Sequence, residues 1–217
     1  MDTQTKADAS GSFPRVVLAT RNAGKIAELA GPLSAFGVEL VGLDAFPEIG
    51  EIEENGATFE ENALIKARAV AKATGLTAIA DDSGLMVEAL AGAPGVYSAR
   101  YSDDLEMLPG ENRDRRNIRK LLAAMADVPE GKRACRFVTA MAAVRPDGRE
   151  LTVRGEWPGT LLASPRGSNG FGYDPVFYDA EAGRTAAELS REEKTARSHR
   201  GRAAAALLER WADFMRA

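Results

Sequence analysis

The chain has 217 residues, 45% hydrophobic and 28% charged, and its 28 Lys and Arg against 32 Asp and Glu give a formal charge of −4. A domain this long buries roughly 70% of its surface and needs no covalent staple. The acidic balance argues against a non-specific coat on nucleic acid, which requires a positive surface. One cysteine, Cys135, rules out an internal disulfide and fits a reducing, cytoplasmic compartment. One histidine, His199, rules out a multi-histidine zinc site. Any metal must then be held mainly by carboxylates, which selects a hard cation such as Mg2+. No apolar run approaches the ~20 residues of a bilayer span, so no membrane partner is expected.

Residues 1–13, "MDTQTKADASGSF", are small and polar and lack the apolar segment of a signal peptide. They are expected to form a disordered leader before a single α/β domain over 14–217. "RVVLAT" (15–20) predicts a buried strand, and "RNAGK" a polar loop into a helix that ends near Gly37. "GVELVGL" predicts a second strand, and 47–56 an acidic loop. Thr58 with Glu61 matches a capping box and Gly75 a helix stop, so 58–75 is a helix. Ala63, Ala67, Val70 and Ala71 mark its buried face, with Lys66 read as lying off it. "LTAIADD" predicts a strand that stops at the two aspartates and turns on Ser-Gly, with "GLMVEAL" a possible further strand. The stretch 111–128 predicts a helix whose basic residues, interleaved with Glu111 and Asp114, read as a solvated face. "ACRFVTAMAAV" and "RELTVRGEW" predict strands joined at "RPDG", with Cys135 a buried inert thiol in the first. Capping-box spacings recur at Thr185/Glu188 and Ser190/Glu193, ahead of a last helix with Leu207, Trp211, Phe214 and Met215 on one stripe.

Four stretches could carry chemistry. The loop Thr20–Lys25 offers backbone N–H groups at a helix start, donors on Thr20 and Asn22, and the Lys25 charge, a set suited to phosphate oxygens. It is not a P-loop, because the first glycine and the trailing Ser/Thr are missing. Glu53, Glu54, Asp81 and Asp82 raise one another's pKa if brought together, unless a cation such as Mg2+ neutralises them. Neighbours on a strand point to opposite faces, so Asp81 and Asp82 are expected to differ in role. In "SNGFGYDPVF", glycines flank Phe171, whose ring could stack on a planar base. Lys194, His199 and Arg200 open the last helix yet do not share a face of one ideal helix. Each stretch also has a plain structural reading: a capped turn, an acidic loop, a glycine-rich turn, and an exposed basic segment.

Taken in this order, "VVLATRNAGKIAEL", "ENGATFEENALIKARAVAKATGLTAIADDSGLMVEALAGAPGVYSARY", "PRGSNGFGYDPVF" and "TAAELSREEKTARSHRGRA" resemble the inosine triphosphate pyrophosphatase family. The resemblance covers residues 15 to about 205. It implies an elongated α/β fold, with a long mixed sheet flanked by helices, two lobes and a central cleft, and a homodimer. It implies hydrolysis of dITP, ITP and XTP to the nucleoside monophosphate and pyrophosphate, with Mg2+. Residue by residue, Thr20, Arg21, Asn22, Ala23, Gly24, Lys25 and Lys66 would serve the phosphates, and Ser83 would lie beside the nucleotide. Asp82 would be general base and metal ligand, with Glu53 as second metal ligand. Phe171, Gly172, Tyr173 and Asp174 would form the base loop, and Lys194, His199 and Arg200 further nucleotide contacts. Donors from Arg200 or the His199 backbone would favour a 6-oxo purine. Two other readings remain at this point, a related pyrophosphatase of modified pyrimidine nucleotides and a non-catalytic nucleotide sensor.

Overall fold

The computed structural model describes residues 13–216. The expected leader therefore lies, but for Phe13, outside the described residues. The expected mixed sheet with flanking helices is present. Its seven strands are β1 (Arg15–Leu18), β2 (Glu39–Gly42), β3 (Thr77–Val87), β4 (Ala134–Val144), β5 (Glu150–Leu161), β6 (Phe177–Asp179) and β7 (Arg184–Thr185). Their order is β2-β1-β3-β4-β5-β6-β7. β1 is parallel to both β2 and β3, whereas β6 is antiparallel to both β5 and β7. The helices are α1 (Ala23–Ser34), α2 (Phe59–Thr74), α3 (Arg113–Ala124), α4 (Arg191–Arg197) and α5 (His199–Met215). None is long and apolar enough to cross a membrane among the described residues.

By its internal contacts the chain divides into two compact units. The first takes in the described residues up to Asp82, Thr139–Gly155 and the segment from Arg200 onward. The second comprises Ser83–Val138 and Glu156–His199. Each has its own apolar core. In the first, Leu29, Leu33 and Phe36 pack with Val16, Ile79 and Met141 and with the Leu207, Trp211, Phe214 stripe of α5. In the second, Leu85, Phe137, Trp157, Val176 and Phe177 pack with Ile118, Leu121 and Met125 around α3.

Two elements differ from the sequence reading. β3 does not stop at the aspartates but runs on through Ser83 and Gly84 to Val87. β3 lies between β1 and β4 in the sheet, and the turn-prone tetrapeptide stays extended as part of this long strand, past the end of its β1 ladder at Ile79. The last helix is also broken. Ser198, with φ −66° and ψ 157°, is extended between α4 and α5. That break removes the conflict over helical faces, because Lys194 belongs to α4 and Arg200 to α5. The capping boxes at Thr58, Thr185 and Ser190 all form, and Gly75 closes α2 with φ +67°.

Candidate active site

β1 is the strand at which the parallel order reverses, with β2 on one side and β3 on the other. The carboxyl end of such a strand is where open α/β sheets bind ligands. The register Leu18↔Ile79 leaves β3 running on beyond the end of β1, which brings Asp81 level with the loop that follows it. Lys25, on the first turn of α1, places its Nζ 2.9 Å from the Asp81 carboxylate and 3.4 Å from the Asp81 carbonyl oxygen. Arg200 comes to the same carboxylate at 3.5 Å and to Glu28 at 2.7 Å. Burial alone would push the Asp81 carboxyl up, but the Lys25 and Arg200 charges outweigh it and hold the group well below the carboxylate range. Burial lowers the pKa of Lys25, an effect that Asp81 opposes.

Asp82 is also buried but has different neighbours. Lys66 Nζ lies 3.8 Å from it and 3.2 Å from Glu54. The Asn62 amide donates to Asp82 Oδ2 at 3.0 Å. Here burial prevails. The Asp82 pKa is raised, against Lys66 and Asn62 and with a further push from Glu54. Adjacent aspartates on one strand thus shift in opposite directions, Asp81 down beside Lys25 and Arg200 and Asp82 up through burial. Different roles were expected for the pair, but Asp82 was expected to keep an ordinary carboxylate pKa, and burial raises it instead.

Lys66 lies on the buried face of α2 rather than off it. Phe59, Asn62, Ala63, Lys66, Ala67 and Val70 are all buried, and Asn62, Lys66 and Val70 follow one another at i, i+4. Asn62 escaped the sequence reading. A polar residue on an otherwise apolar face was its available signal. Its carbonyl accepts from the Gly56 N–H at 2.8 Å, so the side chain ties the acidic loop to Asp82. A Cβ on Gly56 would stand 2.7 Å from the Glu61 Cβ and 2.8 Å from Asn62 Oδ1, so the approach needs glycine.

Of the two loop glutamates, Glu54 reaches this cluster, while Glu53 is exposed. No group of three or more acidic, histidine or cysteine side chains stands ready to hold a metal among the described residues. The donor chemistry nonetheless suits a hard cation. Magnesium is commonly bound through one or two carboxylates and completed by substrate phosphates. Glu54 raising the Asp82 pKa is the strain that such a cation would relieve.

The loop before α1 is more self-contained than its sequence implies. Asn22 Oδ1 accepts from the Gly24 and Lys25 N–H groups at 2.9 and 3.2 Å, and Thr20 Oγ1 accepts from the Asn22 N–H at 3.1 Å. Those side-chain oxygens act as acceptors in a capped turn, one of the two readings of this loop. Arg21 donates to the Ile49 carbonyl at 2.7 Å. Ala23 is the first residue of α1.

The remaining expected residues other than Arg200 fall in the second unit. Asp174 and Lys194 form a buried ion pair at 2.6 Å, and the same Asp174 oxygen accepts from the Phe171 N–H at 2.9 Å. Lys194 Nζ lies 5.1 Å from the centre of the half-buried Phe171 ring. The Tyr173 hydroxyl donates to the Ser98 carbonyl at 2.8 Å, and burial raises its pKa. His199 is buried and stacks on Phe137, with ring centres 4.8 Å apart and planes 12° apart. Ser83 is half-buried on β3. Arg200 lies in the first unit, where it meets Glu28 and Asp81.

Residues 16–210 match the model of the Ham1 family. The chain is 60% identical over 201 residues to the dITP/XTP pyrophosphatase of Nitratidesulfovibrio vulgaris, covering 93% of this chain and 97% of that protein. A solved HAM1 protein from Coxiella burnetii is similar with a TM-score of 0.82 and 40% identity, over 93% of this chain and 100% of that one. A solved nucleoside-triphosphatase, dITP/XTP pyrophosphatase, from Mycobacterium abscessus is similar with a TM-score of 0.71 and 51% identity, over 89% and 98%.

Proposed function

The chain belongs to the Ham1 family, and from that premise we propose that it hydrolyses the non-standard purine nucleoside triphosphates dITP, ITP and XTP to the monophosphate and pyrophosphate. The observation that carries the reading is the unequal aspartate pair. Asp81 is neutralised by Lys25 and Arg200, and Asp82 is held beside Lys66 and Asn62 with a raised pKa. A carboxylate made more basic by burial, next to lysines, is suited to accept a proton from water attacking a phosphate. Reactions of this kind depend mainly on positioning and on neutralising charge.

In this reading Asp82 orients the water and takes its proton, and Asn62 fixes the carboxylate that does so. Lys25 and Lys66 face the oxygens of the departing pyrophosphate. Asp82 and Glu54, rather than Glu53, would hold Mg2+, which would neutralise phosphate charge there. Phe171 stacks on the base, with Gly172, Tyr173 and Asp174 shaping its loop. Arg200 serves the acid cluster, which leaves the His199 backbone as the candidate donor to a 6-oxo group. A cytoplasmic homodimer without a nucleic-acid partner completes the proposal, supported by the cysteine usage, the net charge and the resemblance.

Pyrophosphate release from dITP, XTP, dGTP, dATP and a modified pyrimidine triphosphate, with and without Mg2+, tests it. Fast, metal-dependent turnover of dITP and XTP is expected. Equal rates on dITP and dGTP would defeat the proposed selectivity, and full activity in a chelator would defeat the metal role.

A further inference from the structure

The sequence reading left Asp114 on a solvated helix face, and the structure gives it another role. Asp114 lies in the first turn of α3, where the helix N-terminus favours a carboxylate. Its Oδ2 accepts from the backbone N–H of Gly172 at 2.7 Å. One residue earlier, the Phe171 N–H donates to Asp174 Oδ2 at 2.9 Å. Two successive amides of one loop are therefore each held by a carboxylate, and the two carboxylates come from different elements.

The loop has reason to need both. Gly170 and Gly172 stand at φ +75° and +60°, on either side of Phe171. Gly170 is required by space, since a Cβ there would lie 2.0 Å from Asp174 Oδ2. At Gly172 a Cβ would meet nothing within 4 Å, so glycine serves the left-handed backbone alone. Glycines permit this conformation without enforcing it. What enforces it is the bonding of the amides, and a bond to an ionised carboxylate is among the stronger ones. The support is shared. Asn117, three residues along α3, accepts from the Ser102 N–H at 2.9 Å and donates to the Ser98 carbonyl at 3.2 Å. That carbonyl also receives the Tyr173 hydroxyl. One face of α3 thus steadies the loop through Asp114 and its neighbouring segment through Asn117.

We propose that Asp114 is a positioning residue for base recognition, fixing the Gly172 amide and through it the angle at which Phe171 is presented to a purine. The proposal rests on the base-binding reading of Phe171–Asp174. Wild type, Asp114→Ala and Asp114→Asn are to be compared by hydrogen exchange of the loop, by steady-state kinetics on dITP, and by inhibition with inorganic pyrophosphate. For Asp114→Ala, exchange should rise in residues 166–174, KM for dITP should rise about tenfold and kcat should stay within about twofold, the size expected for a lost bond to a charged group. Pyrophosphate inhibition should be unchanged, because that product lacks a base. In Asp114→Asn the amide oxygen can accept the same bond, so KM should return to within about threefold of wild type. Unchanged loop exchange in Asp114→Ala overturns the proposal. So does raised exchange with an unchanged KM, or a matched loss of kcat and of pyrophosphate inhibition. If Asp114→Ala does not fold, Asp114→Ser replaces it, and failure of both makes the role structural and defeats the proposal. A wild type that turns over no purine triphosphate defeats the functional reading instead, and the exchange result still decides whether Asp114 holds the loop.

Discussion

Each unit buries an aspartate against a lysine, but the two arrangements differ in what surrounds the acid. In the second unit, Asp174 meets Lys194 at 2.6 Å and uses the same oxygen on the Phe171 amide. Its charge is matched and its geometry locks a loop. In the first unit, Asp81 is matched by Lys25 and Arg200, and its neighbour Asp82 is not matched to the same degree, since burial and Glu54 raise its pKa against Lys66. A matched buried pair fixes shape. A carboxylate whose pKa burial raises is one whose charge a bound cation would favour. Groups perturbed by burial and by named charges in an otherwise ordered site are where catalysis is sought first.

The largest effect should come from breaking the matched side. Asp81→Asn leaves Lys25 and Arg200 without their shared carboxylate, and loss of one partner of a buried pair costs about 3–5 kcal/mol. Urea unfolding at pH 7 measures it. Asp81 titrates below its unfolded value, so its contribution is complete above about pH 3.9 and is lost as pH falls towards the depressed native pKa. The gap between wild type and Asp81→Asn should therefore narrow on acidification. A gap independent of pH would deny Asp81 this role. Next in size is Asp82→Asn, where turnover should fall at least about 100-fold while nucleotide still binds. Its stability effect should have the opposite sign. A carboxyl whose folded pKa is raised destabilises the native state once it ionises, so Asp82→Asn should unfold at higher urea at pH 7, with the difference vanishing below about pH 3.8. A loss of stability at pH 7 would mean that the two aspartates are not opposed.

Much of this contrast was legible from residue order. A buried strand carrying two aspartates, alternation on that strand, the capping boxes and the αL stop at Gly75 are all local signals, and they hold. What failed was what partners decide. "DDSG" has turn residues, but it stays extended as part of the long strand β3. Asn62 and Asp114 were passed over because their partners lie 20 and 58 residues away. No spacing rule reports such distances. Glu54 could not be told from Glu53 for the same reason, since only the position of Lys66 separates them.

A smaller effect is expected from the second unit. Phe171→Ala removes a ring from a loop whose backbone is already held by Asp174 and Asp114. Stacking of a base on an aromatic ring contributes about 1–3 kcal/mol, so KM for dITP should rise roughly five- to hundredfold with kcat little changed. Inhibition by pyrophosphate should not move. A selective loss of kcat would place Phe171 with the chemistry of the first unit and blur the division between chemistry and shape.

The smallest effect should be at Cys135, which is buried in the core of the second unit with Phe137 and Trp157. Burial, with a lesser contribution from Glu88, pushes its thiol up to about 12. The thiolate is the reactive form, and near pH 8 almost none is present in the native state, whereas an unfolded cysteine with a pKa near ~8.5 is partly ionised. Alkylation by iodoacetamide at pH 8 should therefore be slow in the native protein and fast in urea. Cys135→Ala should cost on the order of 1 kcal/mol for the atoms removed from the core and leave kcat and KM unchanged. Rapid native alkylation, or activity lost on modification of the folded enzyme, would make this thiol part of the functional machinery. The second unit would then contain a reactive group as well as a scaffold.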